Sequence, residues 1–340
     1  MTYIRTALCL FLFMAQALSQ AQVLPRVHIL ATGGTIASSG NGLLSASDLT
    51  SAIPELEQVA SISIEDFVTI PSSRMTPEIQ FQLALRVNEL LDSSDIAGVV
   101  ITHGTDSLEE SAFFLDLLIN SPKPVVFTAA QRPPTQVDTD GPRNLLNAVR
   151  IAADDRSIEF GVTITLNDEI HAARNARKTH STAVEAFRSA GTGKLGYVDE
   201  GRIFYLWKPS RRVHLSPERI QPRVDLIRLV AGSDGHLIKA AVQAGAKGIV
   251  IEVFGRGNAP PDVVAELGKA IEQDVVVVFT TRTGDGRVIL YPWARSMGVV
   301  SGEDLDGLKA RMVLIAALGQ HSDKQLIQEI YTQLSGSVAN

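Results

Sequence analysis

Gly98-Val-Val-Ile-Thr-His-Gly-Thr-Asp-Ser-Leu-Glu-Glu110 reads as a buried strand running into a helix. Gly98 to Thr102 is a short apolar run rich in β-branched residues. Asp106 followed by Glu109 has the spacing of a capping box, opening a helix that carries Leu108, Ala112, Leu115 and Leu118 on one face. His103, Gly104, Thr105 and Asp106 then fall at the carboxyl end of a strand. In open parallel α/β sheets ligands bind in the crevice outside such strand ends, where a helix N-terminus adds free N–H groups and partial positive charge. Taken alone, Thr and Asp before a helix are most often only caps. His103 has no second His, Cys or carboxylate at ligand spacing, so it is expected to be packed or hydrogen-bonded rather than to hold a metal.

Outside this stretch, residues 1–21 carry one positive charge, Arg5, then an apolar run from Ala7 to Met14 and small residues ending Ser19-Gln-Ala21. This is the pattern of a secretory signal peptide cleaved near Ala21, too short to span a bilayer, and it predicts a periplasmic or secreted protein. The only cysteine, Cys9, lies inside it, so no disulfide or thiolate site is expected after cleavage. The 340 residues hold 31 Lys and Arg against 37 Asp and Glu, a net charge of −6, with 45% hydrophobic residues. That balance argues against nucleic acid or a membrane as partner, and the length accommodates two domains.

Strands are expected at Val27 to Ala31, Phe67 to Ile70, Pro124 to Ala129 and Gly161 to Leu166, alternating with helices at Asp48 to Pro54, Thr76 to Leu91 and Gly141 to Ala153. Such alternation predicts right-handed βαβ units: a doubly wound, flavodoxin-like parallel sheet covered on both faces. Periodicity fades from Arg174 to Thr182, and Tyr197 to Trp207 reads as a hairpin or edge strand around Asp199-Glu-Gly201. Residues 208–223, rich in proline and charge, are expected to link this larger domain, 22–207, to a smaller α/β domain, 224–340. There the strands are Val224 to Val230, Gly248 to Val253 and Val275 to Thr280, with helices near Gly235 to Ala244 and Pro261 to Gln273. Two closing helices follow, Asp304 to Leu318 and Ser322 to Leu334.

The first strand runs into Thr32-Gly-Gly-Thr-Ile36, a glycine turn that matches neither the dinucleotide fingerprint nor the P-loop. Three strand ends of the first domain therefore carry hydroxyls: Thr35, Ser72 with Ser73, and Thr105 beside Asp106. With Lys178 they supply two candidate nucleophiles, a carboxylate and a candidate base.

The pairing of Ala31-Thr-Gly-Gly-Thr-Ile-Ala37 with Ile101-Thr-His-Gly-Thr-Asp-Ser-Leu-Glu-Glu110 resembles the bacterial-type L-asparaginase/glutaminase family. The likeness continues through Asp140-Gly-Pro-Arg-Asn144, Arg177-Lys-Thr179 and Leu195-Gly-Tyr197 into the second domain. It implies an amidohydrolase that converts L-asparagine to L-aspartate and ammonia, with L-glutamine as a further candidate substrate. Thr35 would be the nucleophile that forms an acyl-enzyme, and Thr105 the second catalytic threonine, partnered by Asp106 and Lys178. Asp106 would also receive the substrate α-ammonium group. Ser72 would bind its α-carboxylate, Ser73 standing where the family usually has glutamine. Gly104 and Thr105 would line the same site, Ala130 would meet the amide, and Asn258 would reach in from a neighbouring subunit of a homotetramer. No metal or organic cofactor is implied. A threonine hydroxyl is a poor nucleophile at neutral pH and needs a base, and lysine serves only where its surroundings lower its pKa.

The chain also departs from the family pattern after the first threonine. Secreted members carry a long lid after the first threonine, with a tyrosine that helps activate it, whereas Ala37 to Ser47 is short and has none. The acidic partner of that tyrosine has no obvious counterpart either, since Gly284 to Gly302 offers only Asp285. The alternative reading is an amino-acid-binding protein that kept the clamp and lost turnover.

Overall fold

The computed structural model describes residues 23–34, 36, 38–39, 42–43, 45–189, 191–210 and 212–336; the segment expected to be a signal peptide, with Cys9, and Thr35 lie outside them. The strands of the first part are β1 (Arg26–Gly33), β2 (Ser38–Ser39), β3 (Gly42–Leu43), β4 (Ser61–Ile70), β5 (Gly98–Thr102), β6 (Val125–Thr128), β7 (Val162–Leu166), β8 (Glu169–Ala172), β9 (Ala176–Lys178), β10 (Phe187–Ser189), β11 (Gly196–Asp199) and β12 (Arg202–Tyr205). Its helices are α1 (Ala46–Ser51), α2 (Pro77–Asp92), α3 (Leu108–Leu118) and α4 (Gly141–Ala152). Then follow β13 (Val224–Arg228), α5 (His236–Gln243), β14 (Gly248–Val253), α6 (Pro261–Glu272), β15 (Val276–Thr281), α7 (Pro292–Ser296), β16 (Val300–Ser301), α8 (Gly307–Gln320) and α9 (Lys324–Ser335).

The larger sheet has the order β12-β11-β8-β7-β6-β5-β1-β4. Strands β4, β1, β5, β6 and β7 are parallel, and in chain order they read 2-1-3-4-5, the flavodoxin-like arrangement. Successive residues of β5 enter opposite cores: Val99 and Ile101 pack with α2 and α3, and Val100 packs with α4. A strand covered on both faces has no polar side, which is why Gly98 to Thr102 reads as a continuous apolar run.

The sheet is not parallel throughout. Strands β8, β11 and β12 extend it antiparallel at one edge, and only the β11–β12 hairpin was expected. The turn from β7 into β8 places Asn167 at φ +51° and Asp168 at φ +62°, the two left-handed positions of a tight hairpin turn. Asn-Asp was the signal for it.

The smaller sheet, β13-β14-β15-β16, is parallel. Its short last strand and α7 were not expected. One hydrophobic cluster runs from β5 and β6 through α3 and α8 to β14 and β15, so the two sheets share a core. For this reason α3 is buried on most of its circumference, Phe113, Phe114 and Leu117 included, rather than on the single face expected. Within 208–223 the chain is bonded along α3: Leu215 N donates to Leu117 O (2.7 Å), and the Arg212 guanidinium donates to Ile119 O.

Candidate active site

At the switch point between β1 and β5 the strand ends come within touching distance. Gly33 has φ +93° and Gly34 φ +87°. A Cβ on Gly33 would lie 2.5 Å from Ile70 O at the end of β4, and one on Gly34 2.3 Å from Gly104 N beyond β5. Glycine is required here by conformation and by contact alike. Gly104 in turn fits against Ser72, whose Oγ would lie 2.4 Å from a Cβ at that position. Thr35 is outside the described residues; of its neighbours, Gly34 lies against Gly104 and Ile36 is buried.

Ser72 is buried in a 3-10 turn, Ser72–Arg74, that follows β4. Its Oγ accepts the Asp106 backbone N–H (3.2 Å), and its carbonyl accepts the Ser107 hydroxyl (2.7 Å). Ser73 is exposed. The expected capping box is not formed: α3 starts after Ser107 without a side-chain cap. The two carboxylates have other partners, Asp106 bonding Lys178 and Glu109 turning inward. A capping box does form at α1, where Ser45 and Asp48 bond each other's backbone N–H groups.

Lys178 comes from β9, a three-residue strand paired with β10 and too short to show a period. Its Nζ donates to Thr105 Oγ1 (2.8 Å) and to Asp106 Oδ1 (2.9 Å). Thr105 is buried, whereas the Asp106 side chain is 66% exposed, so one amine joins an interior hydroxyl to a carboxylate open to solvent. That arrangement can pass a proton between hydroxyl and amine while leaving the carboxylate available to a cationic ligand. His103 is bonded, as expected: Nδ1 meets Gly104 O (2.7 Å) and Nε2 meets Ser111 Oγ (3.0 Å). Burial lowers its pKa to about 4.

Ala130 is buried on the loop after β6, held by residues quoted above only as a motif. Asp140 accepts the backbone N–H groups of Gln131 (3.1 Å) and Arg132 (2.9 Å) and the Asn144 amide (3.0 Å). The same amide donates to Ala129 O (2.9 Å). Asn258 lies after β14, exposed, with its backbone paired to Phe254. In the single chain it makes no hydrogen bond to Thr105, Asp106 or Lys178 among the described residues. Nor does any described tyrosine: Tyr205 bonds Ser157, Tyr331 donates to Ala310 O, Tyr197 stacks on Phe204, and Tyr291 is partly exposed beside Gly257.

Two family models match this chain, the N-terminal asparaginase domain over residues 26–211 and the glutaminase/asparaginase C-terminal domain over 223–331. The chain belongs to the asparaginase family. It is 37% identical over 332 residues to L-asparaginase 2 of Bacillus subtilis, covering 93% of this chain and 88% of that protein. It is also 37% identical over 344 residues to a probable periplasmic L-asparaginase of Haemophilus influenzae, covering 96% and 98%. Among solved structures, a probable cytoplasmic L-asparaginase from Campylobacter jejuni superposes with a TM-score of 0.85 at 36% identity, covering 91% of this chain and 99% of that one.

In this asparaginase-family chain the expected residues Gly104, Thr105, Asp106, Lys178 and Ser72 are brought together, whereas Ser73 and Asn258 bond none of them. Sequence reasoning missed Asp140 and Asn144 as supports of the Ala130 loop, and Glu109, Asp306 and Lys309 behind Lys178. Lys309 had a visible signal: it stands in a helix that is apolar nearly all round, where a charged residue needs a partner.

Proposed function

We propose that this protein hydrolyses L-asparagine to L-aspartate and ammonia through a threonine nucleophile, with L-glutamine as a second substrate. The observation that carries this reading is the Thr105–Lys178–Asp106 cluster at the switch point, with Gly34 packed against the adjoining Gly104. The Thr35 oxygen attacks the side-chain amide carbon, the C–N bond breaks, and the hydroxyl proton leaves with the nitrogen as ammonia. Water then attacks the ester, giving the carboxylic acid and returning a proton to Thr35. Lys178 exchanges a proton with Thr105 Oγ1 along their hydrogen bond. Asp106 takes the substrate ammonium. Ser72 Oγ already accepts one N–H and keeps its own proton for the α-carboxylate. Gly104 leaves room beside that serine, and the Ala130 backbone meets the amide.

The same reading makes the working unit a homotetramer in which exposed Asn258 of one subunit serves another's site. The leader at 1–21 makes the protein periplasmic or secreted, with 22–207 carrying the site and 224–340 packed behind it. Light scattering and N-terminal sequencing of exported protein test assembly and export.

The test of function is ammonia release from L-asparagine and L-glutamine by residues 22–340, with Thr35→Ala and Thr105→Ala alongside. Turnover lost in both variants supports the threonine mechanism. No turnover in wild type, with aspartate still binding by calorimetry, would leave only the binding-protein reading.

A further inference from the structure

Behind the candidate site lies a cluster of buried charges that the proposed chemistry does not use. Each residue of β9 is bonded to it. Ala176 O accepts from Lys309 Nζ (2.9 Å), Arg177 Nε donates to Asp306 Oδ2 (2.8 Å), and Lys178 N donates to Glu109 Oε1 (3.3 Å). Lys309, 1% exposed, closes the cluster by reaching Asp306 Oδ2 (3.0 Å) and Glu109 Oε2 (3.4 Å). Asp306 also caps α8 by accepting Lys309 N (2.9 Å).

We propose that Glu109, Asp306 and Lys309 are positioning residues that hold the backbone of β9 so that Lys178 Nζ stands on Thr105 and Asp106; this rests on the function proposed above. The geometry makes the case. A three-residue strand paired on one side has little of its own to hold it in place. Glu109, in the first turn of α3, follows Thr105 by four residues, so its carboxylate ties the Lys178 backbone to the segment its side chain serves. Lys309 and Asp306 bring in α8 from 200 residues away. Burial pushes the Glu109 carboxyl up and Lys309 opposes it; for Asp306 burial acts likewise, but Lys309, its N–H and Arg177 outweigh it and the pKa is lowered. Stability alone gives weak reason for such a group, since buried ion pairs are often replaced by apolar residues at no loss.

That last point supplies the test. Lys309→Met alone leaves the buried Glu109 carboxylate uncompensated, whereas Glu109→Gln with Lys309→Met removes a charge of each sign and is expected to melt close to wild type. Two readouts are taken on the double variant. One is kcat and KM for L-asparagine. The other is the rate at which an amine-reactive acetylating reagent labels Lys178, followed by mass spectrometry with Lys194 and Lys208 as internal controls. A positioning role predicts kcat down at least about tenfold with KM changed less than about threefold, and Lys178 labelled at least about threefold faster relative to the controls. A folded double variant with kcat and labelling both within twofold of wild type would overturn the proposal. Should wild type release no ammonia, the function proposed above fails, and the labelling rate alone decides the positioning role. If the double variant does not fold, Arg177→Met, at the rim of the cluster, is judged on the same readouts.

Discussion

Lys178 Nζ and Thr105 Oγ1 stand 2.8 Å apart although 73 residues separate them in the chain. If that bond carries proton transfer, Lys178→Met is expected to lower kcat by about 10²- to 10⁴-fold, the usual worth of a positioned base. Lys178→Arg is expected not to rescue it, because a guanidinium does not give up its proton near neutral pH. Steady-state ammonia release, with melting curves as the folding control, checks both.

Gly34 is expected to tolerate no side chain. Alanine there meets Gly104 N at 2.3 Å and must adopt φ +87°. The left-handed backbone alone costs about 1–3 kcal/mol, and the contact adds to it by forcing β1 and β5 apart. Urea denaturation of Gly34→Ala measures the loss, and activity is expected to fall with it. Unchanged stability would contradict the close approach of these two strand ends.

Asp140→Ala removes the acceptor of three donors around the Ala130 loop. Leaving such donors without a partner costs about 1–3 kcal/mol. A higher KM for asparagine is expected beside the lower stability, since the loop would no longer hold Ala130 against the amide. Chemical denaturation and substrate titration read the two effects separately.

His103 makes the protein acid-sensitive from an unusually high pH. Its folded pKa is about 4 against the ordinary 6.5, because burial disfavours the charged ring. Between those two values the unfolded chain binds the extra proton. The stability this residue contributes is therefore full above pH 6.5 and is lost as the pH falls towards 4, with a slope of at most about 1.4 kcal/mol per pH unit. Urea midpoints from pH 7 to 4 are expected to show that slope in wild type and to lack it in His103→Asn.

Much of the fold was legible in the sequence because its signals are local. Apolar runs such as Gly98 to Thr102 and Val276 to Thr281 follow from burial on both faces, and the alternation of strand and helix is enough to predict the doubly wound sheet. The same locality explains the errors. Asp106 and Glu109 have capping-box spacing, yet a lysine arriving from β9 and another from α8 claim the two carboxylates instead. Ala176–Lys178 is too short for any period to announce it.

The sequence by itself determined the sheet order's family, the glycine turn at 33–34 and the strand ends where hydroxyls gather, because backbone sterics and hydrophobic periodicity act over a few residues. Only the tertiary structure decided which charges meet: Lys178 with Thr105 and Asp106, and Lys309 with Glu109 and Asp306. Pairing across 73 or 200 residues depends on how helices α3 and α8 pack through a shared core, and no local pattern encodes that distance.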